Sequence, residues 1–149
     1  MKKLIFLLVM TYNLSAFCQE NELNFVDVEF DIEVDKSVYE IKQGNYYYTK
    51  TQSSAMQFNL MPNSYDDLKK RMIESEKEGY KNEVVIDSVK VLLIKTTQVN
   101  EDVKYTIAVY CKKISSDSTL VLNSFYKTEE ELTMKPLIEK ALLSAKIKE

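Results

Sequence analysis

Three β-forming runs, Glu83 to Val99, Val103 to Ile114 and Ser118 to Tyr126, follow one another with only "NED" and "SSD" between them. Connections that short make antiparallel hairpins, so this part of the chain builds a meander. The first run has a weak point at Asp87-Ser88, where it could break in two. Within the runs, "VKVLLIK" and "STLVLNSF" carry apolar side chains on both faces. Strands of that kind lie in the middle of a sheet and are covered on both sides. The fold therefore has to supply a layer above the sheet and another below it.

Two segments can supply those layers. In "NSYDDLKKRMIESEKEG" the period changes to that of a helix, with Tyr65, Leu68 and Met72 on one face and Ile73 beside them. Asn63 or Ser64 caps its start, Asp66 and Asp67 suit its positive end, and Gly79 is expected to end it. Opposite charges four apart, such as Lys70 with Glu74, make its outer face an ordinary wet one. The second segment is "TEEELTMKPLIEKALLSAKI". Thr128 and Glu131 have capping-box spacing, and Pro136 is expected to open the main helix, where its missing N–H does no harm. Leu137, Ile138, Ala141, Leu142 and Ala145 then form its apolar face.

Upstream, "NFVDVEFDIEVD" (Asn24 to Asp35) alternates apolar and acidic residues, the pattern of a half-buried strand with one wet face. "SVYEIK" (Ser37 to Lys42) reads as a second strand and "QGN" as its turn, with "YYYTKT" and "AMQFNLM" as a further pair. The element order is β-β-β-β-α-β-β-β-α. That is an α+β class fold, a layered sandwich with a mostly antiparallel sheet of about six or seven strands and two helices. The helix "YDDLKKRMIESE", the runs "VKVLLIKTT", "KYTIAVYCKK" and "TLVLNSFY", and the closing "KPLIEKALLSAKI" together resemble the PsbP-like group, which includes DcrB-type bacterial envelope proteins. The resemblance spans residues 30 to 147 as a pattern of elements. It departs from the group in lacking any Trp and in having Ser144-Ala145 where Ser-Phe is usual. It implies a binding or assembly role without catalytic residues.

The first residues carry an address. Lys2 and Lys3 precede "LIFLLVM", and the apolar run exits through small residues in "NLSAFCQE". Those are the marks of a secretory signal peptide, and the run is too short to span a bilayer. Cleavage after Cys18 puts Ala16 and Cys18 at the two positions that want small side chains and leaves Gln19 as the mature N-terminus. The alternative, a lipid anchor on Cys18, meets Phe17 where that route wants a small residue. The expected organisation is a signal peptide over 1–18 and a single domain over 19–149, exported to the periplasm or secreted. Without residues 1–18 the chain has 18 basic and 23 acidic residues, a net charge of −5. Such a chain, with no basic run longer than "KKR", is a poor partner for nucleic acid or anionic lipid.

Chemistry is bounded mainly by what is missing. The sequence has no histidine, so Ser-His-Asp and Cys-His nucleophile arrangements are excluded, as is the commonest zinc ligand. Gly44 and Gly79 stand alone, so no glycine-rich phosphate loop exists. Cys111 shares a strand face with Tyr105, Ile107 and Val109 and is expected to be buried, although Lys112 and Lys113 supply the charge a reactive thiol would need. The acidic ladder Asp27, Glu29, Asp31, Glu33, Asp35 reads as a solvated face, since residues two apart on a strand lie about 6.6 Å from each other, too far for a compact calcium cage. No metal site and no cofactor are expected.

One cluster remains as a candidate binding site. Tyr46 and Tyr48 share a strand face, and Tyr39 is expected across from them. Exposed tyrosines of this kind grip a partner protein or a sugar ring, and strand tyrosines with hydroxyls at the rim are their ordinary counterpart. The leading functional expectation is a non-catalytic exported module that recognises another envelope or secreted protein. A small-ligand carrier, an exported immunity or chaperone-type protein, and a carboxylate-based hydrolase are the alternatives.

Overall fold

The computed structural model describes residues 25–75 and 78–149. The expected leader, Cys18 and Gln19 lie outside that range. The long runs form a meander: β5 (Tyr80–Ile86), β6 (Val89–Asn100), β7 (Val103–Lys113) and β8 (Thr119–Lys127). Asp87 and Ser88 both have positive φ, 45° and 68°, as do Glu101 and Asp102 at 49° and 65°. Two-residue turns of that shape match the twist of hairpin strands, which is why the first run breaks at Asp87-Ser88. Ahead of them come β2 (Ile41–Gln43), β3 (Tyr46–Tyr48) and β4 (Ala55–Met61). The seven strands make one antiparallel sheet in the order β2-β3-β4-β8-β7-β6-β5.

Strand β8 sits at the centre, and all of its residues but Lys127 are buried. Leu120, Leu122 and Tyr126 face one side with Val91, Leu93, Ala108, Tyr110, Met56 and Phe58. Helix α2 (Glu131–Ser144) lays Met134, Ile138, Ala141 and Leu142 on that side. Val121, Val109, Cys111, Leu92 and Ile94 face the other side, under Tyr65, Leu68 and Met72 of helix α1 (Tyr65–Glu74). One helix per face is what the two-sided apolar strands demanded. At ten residues α1 is about 15 Å long, whereas the twelve-residue β6 runs about 40 Å. Helix α1 therefore reaches over only part of the second face.

Five local expectations are corrected. The alternating segment keeps its inward pattern, with Val28, Ile32 and Val34 packed on the α2-side core and the acids exposed. It is a strand only at β1 (Phe30–Asp31), paired with β9 (Lys146–Ile147), plus a bridge from Val26 to Leu60. Its other backbone groups are taken by side chains: Asn45 Oδ1 accepts from the Phe30 N–H, Asn45 Nδ2 donates to the Val28 carbonyl, and Ser144 Oγ accepts from the Glu33 N–H. Ser37 lies in a turn, where its N–H and hydroxyl both donate to Asp35 Oδ1, and this delays β2 to Ile41.

Helix α1 stops at Glu74, not Gly79. The Ser75 hydroxyl donates to the Met72 carbonyl, and Lys81 Nζ donates to the Ser75 carbonyl. Ser64 caps the start, its Oγ accepting from the Asp67 N–H. At the other helix, Pro136 lies inside α2 instead of opening it, and Thr128 makes no cap: its hydroxyl pairs with that of Thr106 across to β7 at 3.0 Å. A single 3-10 turn, Thr128–Glu130, leads directly into α2. The carbonyl that the missing Pro136 N–H would have met belongs to Leu132, which is 92 % exposed, so water can serve it.

Candidate functional site

The part of the sheet face beyond α1 is organised in rows across four strands. Register places Tyr48 of β3, Ala55 of β4, Phe125 of β8 and Ile107 of β7 side by side. The next row is Tyr46, Gln57, Asn123 and Val109. Period-two alternation fixes both rows on one face, and the row after them, Asn59, Val121 and Cys111, already runs under α1. The first row is apolar and aromatic, with Tyr105 joining it at the β7 end. The ring centroids of Tyr46 and Tyr48 are 5.4 Å apart, and Tyr105 meets Phe125 edge-on at 6.1 Å. Such tilted and edge-on pairs follow the ring quadrupole and hold the platform's shape. Ala55 and Phe125, in the middle of the row, are buried, with Tyr46, Tyr48, Tyr105 and Ile107 packed half-buried against them. Burial first, then the neighbouring Tyr48 phenol, pushes the Tyr46 phenol above its ordinary 10.0.

Beside Tyr46 the N-terminal segment forms the wall of a groove of about 290 Å³. Its lining includes Phe25, Asp27, Gln43, Tyr46, Gln57 and Asn59. That volume is at the lower edge of the ~300–1,000 Å³ typical of ligand pockets. The wall is fixed by three contacts described above: the Val26 bridge to Leu60, the Asn45 amide on Val28, and the β1–β9 pair.

The expected tyrosine trio divides. Tyr46 and Tyr48 stand together, half-buried, on the aromatic row. Tyr39 lies on the opposite side of the sheet, 2 % exposed, in the core beneath α2 with Tyr47. Its hydroxyl pairs with Ser54 Oγ at 3.0 Å, and burial pushes its phenol up to about 12. The turn at residues 36–38 shifts the strand start and so puts Tyr39 out of reach of its expected neighbours. Sequence reasoning missed Tyr105, Phe125, Gln57, Asn59 and Asn123 as members of this face. A signal existed for the last of these: Asn123 is an amide inside the otherwise apolar "LVLNSF".

The other ionisable groups that the sequence singled out, and Glu83, are engaged in structure. Cys111 is fully buried, and burial pushes its thiol up to about 12, away from the reactive thiolate. Lys112, expected to lend charge beside it, instead points to the other side and donates to the carbonyls of Leu142 at 2.7 Å and Ala145 at 3.1 Å. On the acidic ladder, Glu29 pairs with Lys148 at 2.9 Å and Glu33 lies 3.8 Å from Lys140. Glu83 accepts from Lys69 Nζ and from the Tyr65 hydroxyl, each at 3.0 Å, and the Lys69 contact leads in holding it below the usual carboxylate range. Among the described residues no group of three or more His, Cys, Asp or Glu side chains could hold a metal ion, and no helix is long and apolar enough to cross a membrane.

No protein-family model matches the chain, and no curated protein does. Its fold does have solved counterparts. LpqN of Mycobacterium tuberculosis, described as involved in cell envelope biogenesis, superposes with a TM-score of 0.53 at 11% identity, covering 91% of this chain and 96% of LpqN. The cyanobacterial PsbP of Synechocystis superposes with a TM-score of 0.47 at 7% identity, covering 83% of this chain and 95% of that one. The PsbP-like resemblance read from the sequence holds as a likeness of fold.

Proposed function

We propose that this chain is an exported, non-catalytic module of the cell envelope that recognises another protein through the face carrying Tyr46 and Tyr48. The observation that carries this reading is the pair of half-buried rings, Tyr46 and Tyr48, packed 5.4 Å apart beside the groove and outside the cluster that α1 covers. Contiguous apolar surface rimmed by polar residues marks interaction sites, and tyrosines are frequent anchors in them. Gln43, Gln57 and Asn59 of the groove lining provide that polar rim. The fold shared with a protein of envelope biogenesis supports the same address. So does the charged, short, apolar start of the sequence, which supports removal of residues 1–18.

Two measurements test the reading. The double variant Tyr46→Ala/Tyr48→Ala should lose capture of its partner from native envelope by about tenfold or more, the usual scale for truncating anchor residues. Its circular dichroism should remain that of the parent, since both rings are only half-buried. Undiminished capture would remove the face from consideration. For export, the intact mass of the mature protein should begin at Gln19, in the soluble fraction. A mass beginning at an acylated Cys18 would instead tether the module to a membrane surface.

A further inference from the structure

The sheet has two edges, and the fold treats them differently. One is β2, only three residues long. Very short edge strands are one way of keeping other chains from pairing there. The other is β5, seven residues long, with an unbroken register from Tyr80 opposite Lys95 to Ile86 opposite Val89. It therefore has no bulge, and it contains no proline. In a two-residue hairpin the residues flanking the turn exchange both of their bonds. Ile86, Val84, Asn82 and Tyr80 thus direct their backbone groups to β6. Lys81, Glu83 and Val85 turn theirs outward, where they meet no partner among the described residues.

The charges that could guard such an edge are occupied elsewhere. Lys81 Nζ donates to the Ser75 carbonyl at 2.6 Å and to its hydroxyl at 2.7 Å, and Glu83 accepts from Lys69 and Tyr65 of α1. The exposed side chains along the edge are apolar. Val85 is 67 % exposed and shares the α1 side of the strand with Glu83. Ile73 is 47 % exposed and follows Lys69 by one helical turn, so the Lys69–Glu83 contact places it over the same edge. Open backbone groups beside exposed apolar side chains are what strand addition uses.

The side chains select the strand that fits. Like charges directly opposite each other destabilise a pair. An antiparallel second copy centred on Glu83 or on Val85 would set Glu83 against Glu83 or against Asp87. Centred on Asn82, it would leave Val85 beyond the strand, opposite Gly79. Centred on Val84, it sets Lys81 against Asp87 and Glu83 against Val85, with Val84 meeting itself. Ile73 lies over the stretch from Glu83 to Lys81, because Lys69 reaches the first and Ser75 meets the second. Val85 of the second copy arrives beside it there, and the symmetry makes the contact twice. The two apolar ends of one edge thus match each other across a two-fold axis, as an isologous contact requires.

We infer that two copies of this chain pair edge to edge through β5, antiparallel and centred on Val84, so that their seven-stranded sheets become one continuous sheet. This edge lies at the far end of the sheet from β3, and the inference does not depend on the recognition reading of Tyr46 and Tyr48.

Sedimentation of the mature protein over a concentration series should show dimers. Val85→Pro should shift them to monomers. It removes an outward N–H and no bond to β6, so its circular dichroism should stay that of the parent. Val84→Cys tests the register and serves even if the proline variant fails to fold. Opposite residues of a non-hydrogen-bonded pair have Cα atoms about 4.5 Å apart, inside the range of about 4.4–6.8 Å that a disulfide spans. In oxidised glutathione this variant should form a covalent dimer, whereas Asn82→Cys, set opposite Ile86, should not. The Tyr46→Ala/Tyr48→Ala variant should dimerise like the parent. A parent that stays monomeric throughout the series would overturn the inference. If its β5 amides then gain exchange protection only on adding envelope extract, the edge belongs to a strand of another protein. A folded Val85→Pro variant that remains dimeric would overturn the inference too, as would cross-linking through Asn82→Cys in place of Val84→Cys.

Discussion

Asn45 shows how much one side chain decides here. Its carboxamide holds both Val28 and Phe30, in a segment whose strand pairing is confined to β1 and the Val26 bridge. Nothing in the alternation of Asn24 to Asp35 could have announced this, because the alternation reports which face is wet and not which partner is paired. Gly79 is similar. Read as a helix stop, it is instead the point where the chain enters β5 against β6. Its φ is +133°, and a Cβ added there would lie 2.7 Å from Thr96 Cγ2 and 2.8 Å from the Lys95 carbonyl oxygen. Gly79→Ala combines that clash with a backbone conformation that L side chains rarely adopt, so it should cost about 1–3 kcal/mol. An unchanged urea midpoint would show that the segment shifts freely to accommodate it.

At the scale of elements, what the sequence made legible was whatever depends on periodicity and short connections. The β5–β8 meander, its breaks, the α1 face and the two-sided covering all follow from local pattern, and all are present. Elements set by a distant contact were not legible. The reach of α2 depends on Thr128 bonding across to Thr106 instead of capping, so that helical turns begin well before Pro136. The aromatic row depends on four strands meeting in register, which no single stretch reveals. Pro136 now stands exposed inside a helix, where it removes a hydrogen bond and has poor intrinsic propensity. Pro136→Ala should therefore stabilise α2, by about 1 kcal/mol after the unfolded chain regains its freedom. Thermal melting checks this, and a lower midpoint would mean that the ring is needed where it is.

The whole molecule is rich in buried phenols, and that sets its behaviour in alkali. Burial raises Tyr39 and Cys111 to about 12 from ordinary values of 10.0 and 9.0, and raises Tyr65, Tyr110 and Tyr126 further. Each of these groups keeps its proton longer in the folded state than in the unfolded one. Their stabilising contribution is thus complete below the unfolded values and is lost as pH climbs from about 9 toward 12. Lys112 acts in the opposite sense, since burial lowers its value and the unfolded chain holds that proton more tightly. One lysine is outnumbered by the phenols and the thiol. Melting temperature should be nearly flat from about pH 7 to about pH 9 and then fall steeply, together with the rise of tyrosinate absorbance. Absorbance that rises while the fold persists would place those phenols in contact with water.

The β1–β9 pair joins Phe30 to Ile147 and Asp31 to Lys146, and the Glu29–Lys148 contact beside it spans 119 positions of the chain. They form a seam that cannot close until residues 146–148 have been made. During synthesis, the seven-stranded sheet has all of its strands before residue 146 emerges, but the segment that walls the groove is still missing one of its fastenings. A chain cut short after α2 would therefore keep the sheet and both covering helices and lose one fastening of the groove wall. The wall of the groove thus gains one of its fastenings among the last contacts of the described fold to form.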